Sequence, residues 1–256
     1  MSELRVGVVG AGGRMGATVC AAVAADAELV LAAAVDPGSA GREVSGVTVA
    51  SELRALADAG CDVVVDFTMA AAARTTLPWL AMHGMHAVVG TTGFDDTDLA
   101  AFRTAFSGSN CLIASNFAIS AVLMMRFAEM AAPWFDTAEI IELHHDAKVD
   151  APSGTAATTA QRMAGVRGAW PADATTHELY PGARGSVGPG GIRVHSVRMR
   201  GMVAHQEVIL GAQGQTLTIR QDSYDRVSYM PGVLLACKRI ADHPGVTVGL
   251  DAVLGI

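Results

Sequence analysis

The chain has 256 residues, 51% of them hydrophobic and 17% charged, and a formal net charge of −7. That length buries a substantial core in one large domain or two modest ones, and the composition excludes a disordered chain. The negative balance excludes a sequence-independent grip on nucleic acid but leaves room for a small anion held by local donors.

The N-terminal MSELRVGVVGAGG lacks the organisation of a signal peptide, and no run is long and apolar enough to span a bilayer, so a cytoplasmic protein without membrane partners is expected. Residues 4–9 (LRVGVV) predict a buried strand, 15–25 a helix and 29–35 (LVLAAAV) a second strand. Residues 62–67 predict a third strand, 68–84 a helix, 87–89 a short strand, 99–106 a helix and 111–114 another strand. Such alternation predicts a parallel sheet with crossover helices, a doubly wound, Rossmann-like α/β domain. Beyond Asn116 the rhythm changes. Residues 119–132 predict a helix in which Met124, Met125 and Met130 fill core space, and 138–143 a strand. A helix follows Ser153, and 165–191, rich in Gly and Pro, reads as a long loop. The alternating runs 192–199, 205–212 and 216–223, the last two joined as a hairpin, predict an antiparallel sheet. Pro231 opens a final helix, and TVGL (247–250) is a last short strand that returns to the first domain. The expected organisation is a dinucleotide domain of residues 1–117 and 227–256, and an α+β domain of 118–226 for substrate and oligomerisation.

The first strand runs directly into VVGAGGRMG. Its glycines fit G-x-x-G-x-x-G at Gly10, Gly13 and Gly16, with Gly12 additional and Met15 where the familiar fingerprint has its third glycine. Small residues there allow a tight turn and close approach to a pyrophosphate at a helix N-terminus. Asp36 ends the second strand, where a carboxylate accepts from ribose hydroxyls. The segment Gly10, Ala11, Gly12, Gly13, Arg14 and Met15, with Asp36, therefore predicts a nicotinamide dinucleotide. Asp36 repels a 2′-phosphate, which favours NADH over NADPH, although Arg14 can pair with such a phosphate. Gly90-Thr91-Thr92 and Ala114-Ser115-Asn116-Phe117 follow later strands, at the edge where ligands settle in such sheets.

Residues 144–156 read HHDAKVDAPSGTA, a dense polar stretch in a chain with few charges. His144 and His145 fall at successive strand positions and point to opposite faces, and no third ligand follows at suitable spacing, so no metal is expected. Cys20, Cys61, Cys111 and Cys237 are scattered and read as buried hydrophobes. Ser153 predicts a helix N-cap, with the amides of Gly154 and Thr155 forming an anion receptor. With the cation of Lys148 and an imidazole nearby, the stretch suits a carboxylated substrate that takes up hydride and a proton.

ELHHDAKVDAPSGTA strongly resembles the signature of the bacterial 4-hydroxy-tetrahydrodipicolinate (dihydrodipicolinate) reductase family of lysine and diaminopimelate biosynthesis. VGAGGRMG, VDFT (65–68), VVGTTGF (88–94), SNFAI (115–119) and GVLLA (232–236) follow in the family's order, so the resemblance covers essentially the whole chain. It implies that His144 is the catalytic acid/base, Lys148 the proton donor, and His145, Ser153, Gly154 and Thr155 contacts to a dicarboxylate. It also implies a mixed sheet in the second domain and assembly into a homotetramer. Ala147 stands where many members carry histidine, and Ser120 where glycine is common. Two rival readings are another NAD(P)-dependent small-molecule dehydrogenase, which would not need the HHDAK and PSGT receptor, and a non-catalytic NAD(H) sensor, which would tolerate loss of His144 and Lys148.

Overall fold

In the computed structural model, which describes residues 3–256, the chain divides into two units. One comprises the residues up to Phe117 together with Tyr229–Ile256, the other Ala118–Ser228.

The first unit is built on an eight-stranded sheet. Its strands are β1 (Leu4–Val9), β2 (Leu29–Val35), β3 (Glu43–Val44), β4 (Val47–Ala50), β5 (Val63–Asp66), β6 (His86–Val89), β7 (Cys111–Ile113) and, from the C-terminal stretch, β13 (Val246–Val248). Their order is β13-β7-β6-β5-β1-β2-β4-β3, and every pairing is parallel except β3 with β4. A parallel sheet covered on both faces needs apolar residues at consecutive positions, and β5 (VVVD) is buried throughout. The helices of this unit are α1 (Arg14–Ala25), α2 (Arg54–Asp58), α3 (Ala70–Met82), α4 (Asp96–Ala105), α7 (Met230–Arg239) and α8 (Asp251–Leu254). The pattern of apolar residues does not reveal β3, β4 or α2, because two to five residues at a sheet margin carry too few periods to register. α4 starts earlier than its apolar residues indicate, since Asp95 caps it and forms a reciprocal capping box with Asp98.

The C-terminal stretch is tied in by polar and steric fit. Asn110 Nδ2 donates to Ile240 O at 2.8 Å, and the Gly245 amide donates to Asn110 Oδ1 at 3.1 Å. A Cβ on Gly232 of α7 would lie 2.1 Å from the Phe117 carbonyl oxygen, so only glycine lets that helix start so close.

In the second unit, α5 (Ile119–Ala131) and α6 (Gly154–Arg167) pack on each other and on a five-stranded sheet of β8 (Thr137–His144), β9 (Ser186–Val187), β10 (Arg193–Arg198), β11 (Ala204–Ala212) and β12 (Gln215–Ser223). The order is β12-β11-β8-β10-β9. The hairpin β11–β12 is antiparallel, as its alternation predicts, but β10 runs parallel to β8, so the sheet is mixed. The reason is the connection: α6 lies between β8 and β10 in the chain, and a helical crossover returns a strand parallel to its predecessor. The 165–191 stretch is not all loop, since α6 reaches Arg167 and β9 forms at its far end. Met124 and Met125 are buried, but Met130 is 60% exposed, because it lies on the side of α5 turned from the sheet. Ala138, Ile140 and Glu142 point inward from β8, while Glu139 and Ile141 on its other face are half-buried.

Among the described residues no helix is long and apolar enough to cross a membrane, and no group of three or more His, Cys, Asp or Glu is arranged to hold a metal ion. All four cysteines are buried and unpaired, and burial pushes the thiols of Cys20 and Cys61 up to about 11.

Candidate active site

At the carboxyl edge of the first unit's sheet, β1 ends in a turn closed by hydrogen bonds from the Gly10 and Ala11 amides to Val35 O, at 2.9 and 3.3 Å. Gly10 has φ +81°, and a Cβ on Gly16 would sit 2.0 Å from the Gly10 carbonyl oxygen, so the first turn of α1 rests directly on the loop. Gly12, additional in the glycine spacing, is constrained by a side chain: its Cβ would fall 2.0 Å from Ser39 Oγ and 2.4 Å from Ser39 Cβ. Its amide donates to Asp36 Oδ2 at 3.0 Å, while Gly38 donates to Oδ1 at 2.9 Å. One carboxylate thus braces the glycine turn and the turn after β2, and it retains lone pairs for a ligand's hydroxyls. Arg14 opens α1 and is exposed, with Met15 half-buried behind it. A cleft of about 520 Å³ lies here, bordered by Gly10, Gly13, Asp36, Pro37, Phe67 and Thr68 among others.

The neighbouring strand ends converge on a residue the sequence pattern does not single out. Asp66, the fully buried last residue of β5, accepts at Oδ1 from the Thr68 amide and hydroxyl and from the Thr91 hydroxyl, at 2.7–2.9 Å. Burial, only partly offset by these bonds, raises its carboxyl above the ordinary range. The Thr91 hydroxyl therefore faces the protein interior rather than a ligand, while Thr92 is exposed. A Cβ on Gly90 would overlap the Phe67 ring at 2.0 Å, which explains the glycine. Phe67 in turn meets Phe117 with ring centroids 5.8 Å apart. Ala114 and Phe117 are buried, whereas Ser115 is exposed and Asn116 half-buried at the rim.

In the second unit the HHDAKVDAPSGTA stretch leaves β8 and enters α6. The strand stops at His144, and His145 is exposed in the turn beyond it. His144 Nδ1 lies 2.5 Å from Glu142 Oε2. Burial depresses the proton affinity of His144; Glu142 opposes this, and the cations of Lys148 and Arg198 add to it. Lys148 Nζ sits 2.8 and 2.9 Å from the two Asp150 oxygens and holds that carboxyl below its usual range. Ser153 caps α6 as its position predicts, its Oγ accepting from the Ala156 amide at 3.2 Å. Gly154 and Thr155 form the first helical positions, and a Cβ on Gly154 would meet nothing within 4 Å, so the approach to that helix end is open. Glu142 and Arg198 complete the cluster. Glu142 carries a local signal, two positions from His144 on the same strand face. Arg198 carries none: only the β8–β10 register, which sets it beside His144, brings it in.

The fold and these two clusters define a class: a Rossmann-type dinucleotide unit joined to a unit that carries an acid–base cluster beside an open helix N-terminus. Residues 4–117 match the family described as "Dihydrodipicolinate reductase, N-terminus", and residues 120–254 the corresponding C-terminus. The chain is 51% identical to a 4-hydroxy-tetrahydrodipicolinate reductase of Nocardia farcinica and 49% to one of Corynebacterium aurimucosum, covering 99% of each chain in both cases. A dipicolinate-bound dihydrodipicolinate reductase from Paenisporosarcina sp. TG-14 superimposes with a TM-score of 0.89 at 36% identity, covering 98% of this chain and 99% of that one. The chain belongs to the dihydrodipicolinate reductase family.

Proposed function

We propose that this protein is an oxidoreductase that uses NADH or NADPH to reduce 4-hydroxy-tetrahydrodipicolinate, by way of dihydrodipicolinate, to tetrahydrodipicolinate, a step of lysine and diaminopimelate biosynthesis. The observation that carries this reading is the near-complete match of both units to reductases of that name. The rival readings, a dehydrogenase of other specificity and a non-catalytic sensor, lack such support.

The first unit fits a dinucleotide: glycines close the turn tightly against its neighbours, and a cleft lined by Gly10, Gly13 and Asp36 opens beside it. Gly10 to Met15 would receive the pyrophosphate, Asp36 the ribose, and Gly90 to Thr92 with Ala114 to Phe117 the nicotinamide end. The bound dinucleotide supplies the hydride. This chain's residues do the rest. The α6 N-terminus at Gly154 and Thr155, with His145 and Ser153, holds a substrate carboxylate, which aligns the ring for attack. Once the 4-hydroxyl has left as water, hydride addition at C4 of the conjugated imine sends electron density toward the ring nitrogen, and the resulting enamine takes a proton at carbon. Lys148 delivers that proton and His144 exchanges it, help that typically gives ~10²–10⁴-fold. The open face of the second sheet, with Ile141 and Ile209 half-buried on it, supports assembly into a homotetramer, and the setting is the cytoplasm.

The test couples the purified protein to the synthase reaction that makes the substrate from pyruvate and aspartate semialdehyde, with NADH and NADPH oxidation followed at matched concentrations. Synthase-dependent oxidation is the expected result. Binding of NADH without oxidation overturns the reading.

A further inference from the structure

The Glu142 carboxylate is completely buried, and both of its oxygens are filled by polar partners. Oε2 meets His144 Nδ1 at 2.5 Å and Arg198 Nη1 at 2.9 Å, and Oε1 accepts from Arg198 Nη2 at 2.8 Å and from the Ser153 amide at 3.2 Å. The two parallel bonds from Arg198 are the planar fork that guanidinium forms with carboxylate. Burying a carboxylate costs several kcal/mol unless its oxygens are filled in this way. Burial opposes the charge on Glu142, but hydrogen bonds from Arg198, Ser196 and His144 outweigh it and hold the carboxyl below its ordinary range. An ionised carboxylate has no proton to give, so the short contact to His144 requires Nδ1 to carry the hydrogen.

The same carboxylate governs more than the imidazole. Ser153 precedes Gly154, so the bond to its amide fixes where the α6 N-terminus begins. Arg198 Nη2 also donates to the Asp150 carbonyl at 2.7 Å, and the Asp150 side chain holds Lys148. The groups around His144 are therefore Glu142 on its own strand, Arg198 from β10, and Lys148 with Asp150 from the turn.

We propose that Glu142, clamped by Arg198, is the positioning residue of this site: it fixes His144 with the hydrogen on Nδ1 and Nε2 left for proton exchange, and it sets the imidazole in register with the α6 N-terminus. This rests on the reductase reading, in which His144 exchanges the substrate's proton. The carboxylate itself touches no substrate; it acts through His144 and Ser153, as the orienting acid of a catalytic triad acts through its histidine.

The test compares wild type with Glu142→Gln, which keeps the shape and removes the charge, and Glu142→Asp, which keeps the charge but withdraws it by one methylene. Two readouts are taken: the pH dependence of kcat, and the titration of His144 itself, followed by imidazole C2 hydrogen exchange and peptide mass spectrometry with fragment ions that separate it from His145. Loss of the carboxylate in Glu142→Gln is expected to lower the His144 pKa by about one unit or more, and kcat by roughly 10²-fold or more. NADH affinity, which belongs to the other unit, stays within about twofold, a margin of ~0.4 kcal/mol. Glu142→Asp falls between the two. A purely structural role would lower thermal stability and leave the His144 titration unmoved, and that result overturns the proposal. If Glu142→Gln does not fold, Glu142→Asp decides alone, and a wild-type titration and kcat in that variant overturn it equally. If the wild-type protein oxidises no NADH with the substrate, the functional reading fails, while the His144 titration still decides whether Glu142 positions it.

Discussion

Lys148 is held by Asp150 through both carboxylate oxygens, a pairing that fixes the ammonium on the short turn between β8 and α6. It is the proton donor of the proposed mechanism, and replacing it changes no residue of the dinucleotide unit. Lys148→Ala is therefore expected to lower kcat by ~10²–10⁴-fold with the NADH dissociation constant unchanged; turnover at the wild-type rate would remove Lys148 from the mechanism. Asp36 is placed differently, with one oxygen on the glycine turn and the other on the turn after β2. Its charge would disfavour a 2′-phosphate and its lone pairs favour free ribose hydroxyls. Asp36→Ala is expected to weaken NADH more than NADPH in fluorescence titrations, and equal losses would refute the ribose assignment.

At the scale of elements, function depends on how closely helices approach strand ends. The first turn of α1 packs on the Gly10 carbonyl through Gly16, and both sides of that contact are backbone, which cannot rotate away. Gly16→Ala is expected to destabilise the protein by about 1–3 kcal/mol and to weaken NADH binding. At Gly13 the nearest atom would be 3.3 Å from an added Cβ, so Gly13→Ala is the milder change; urea denaturation and NADH titration of the pair check the ranking. α6 presents the other use of a helix end. Ser153 consumes the Ala156 amide, and in the proposed function the opening residues of the helix would meet the substrate carboxylate.

For the whole molecule, pH is the clearest lever. Burial depresses the proton affinity of His86 and His144 in the folded state, below the ordinary 6.5. Folded-state values below unfolded ones mean that the unfolded chain binds more protons, so stability rises with pH. The histidine contribution is present above about 6.5 and lost as pH falls through the lower folded values. Glu139, Glu142 and Asp222, depressed by their arginine and histidine partners against the cost of burial, add a further loss below the carboxylate range. Asp66, raised by burial, acts in the opposite sense. The urea midpoint is expected to fall between pH 7 and pH 5 and to fall again toward pH 4; a flat profile would mean these groups titrate alike in both states. Light scattering at neutral pH is expected to give four times the 26.3 kDa chain mass, and a monomer would refute assembly through the open sheet face.

Much of this was written locally. The strand–helix alternation, the glycine turn after β1, the Ser153 cap and the His144–Lys148 stretch each rest on residues within a few positions of one another, where periodicity and turn chemistry act directly. The parallel course of β10 was not visible, because IRVHSVRM alternates alike beside either neighbour and only the α6 crossover chooses. Nor were the inward turn of Thr91 toward Asp66, the fit of Gly12 against Ser39, or the Arg198 fork on Glu142. The sequence by itself marked the longer strands and helices and the residues proposed to carry the chemistry. The tertiary structure decided which of those residues are braced and by what, because a bond such as the Arg198 fork on Glu142, between residues 56 positions apart, exists only once strand register has been set.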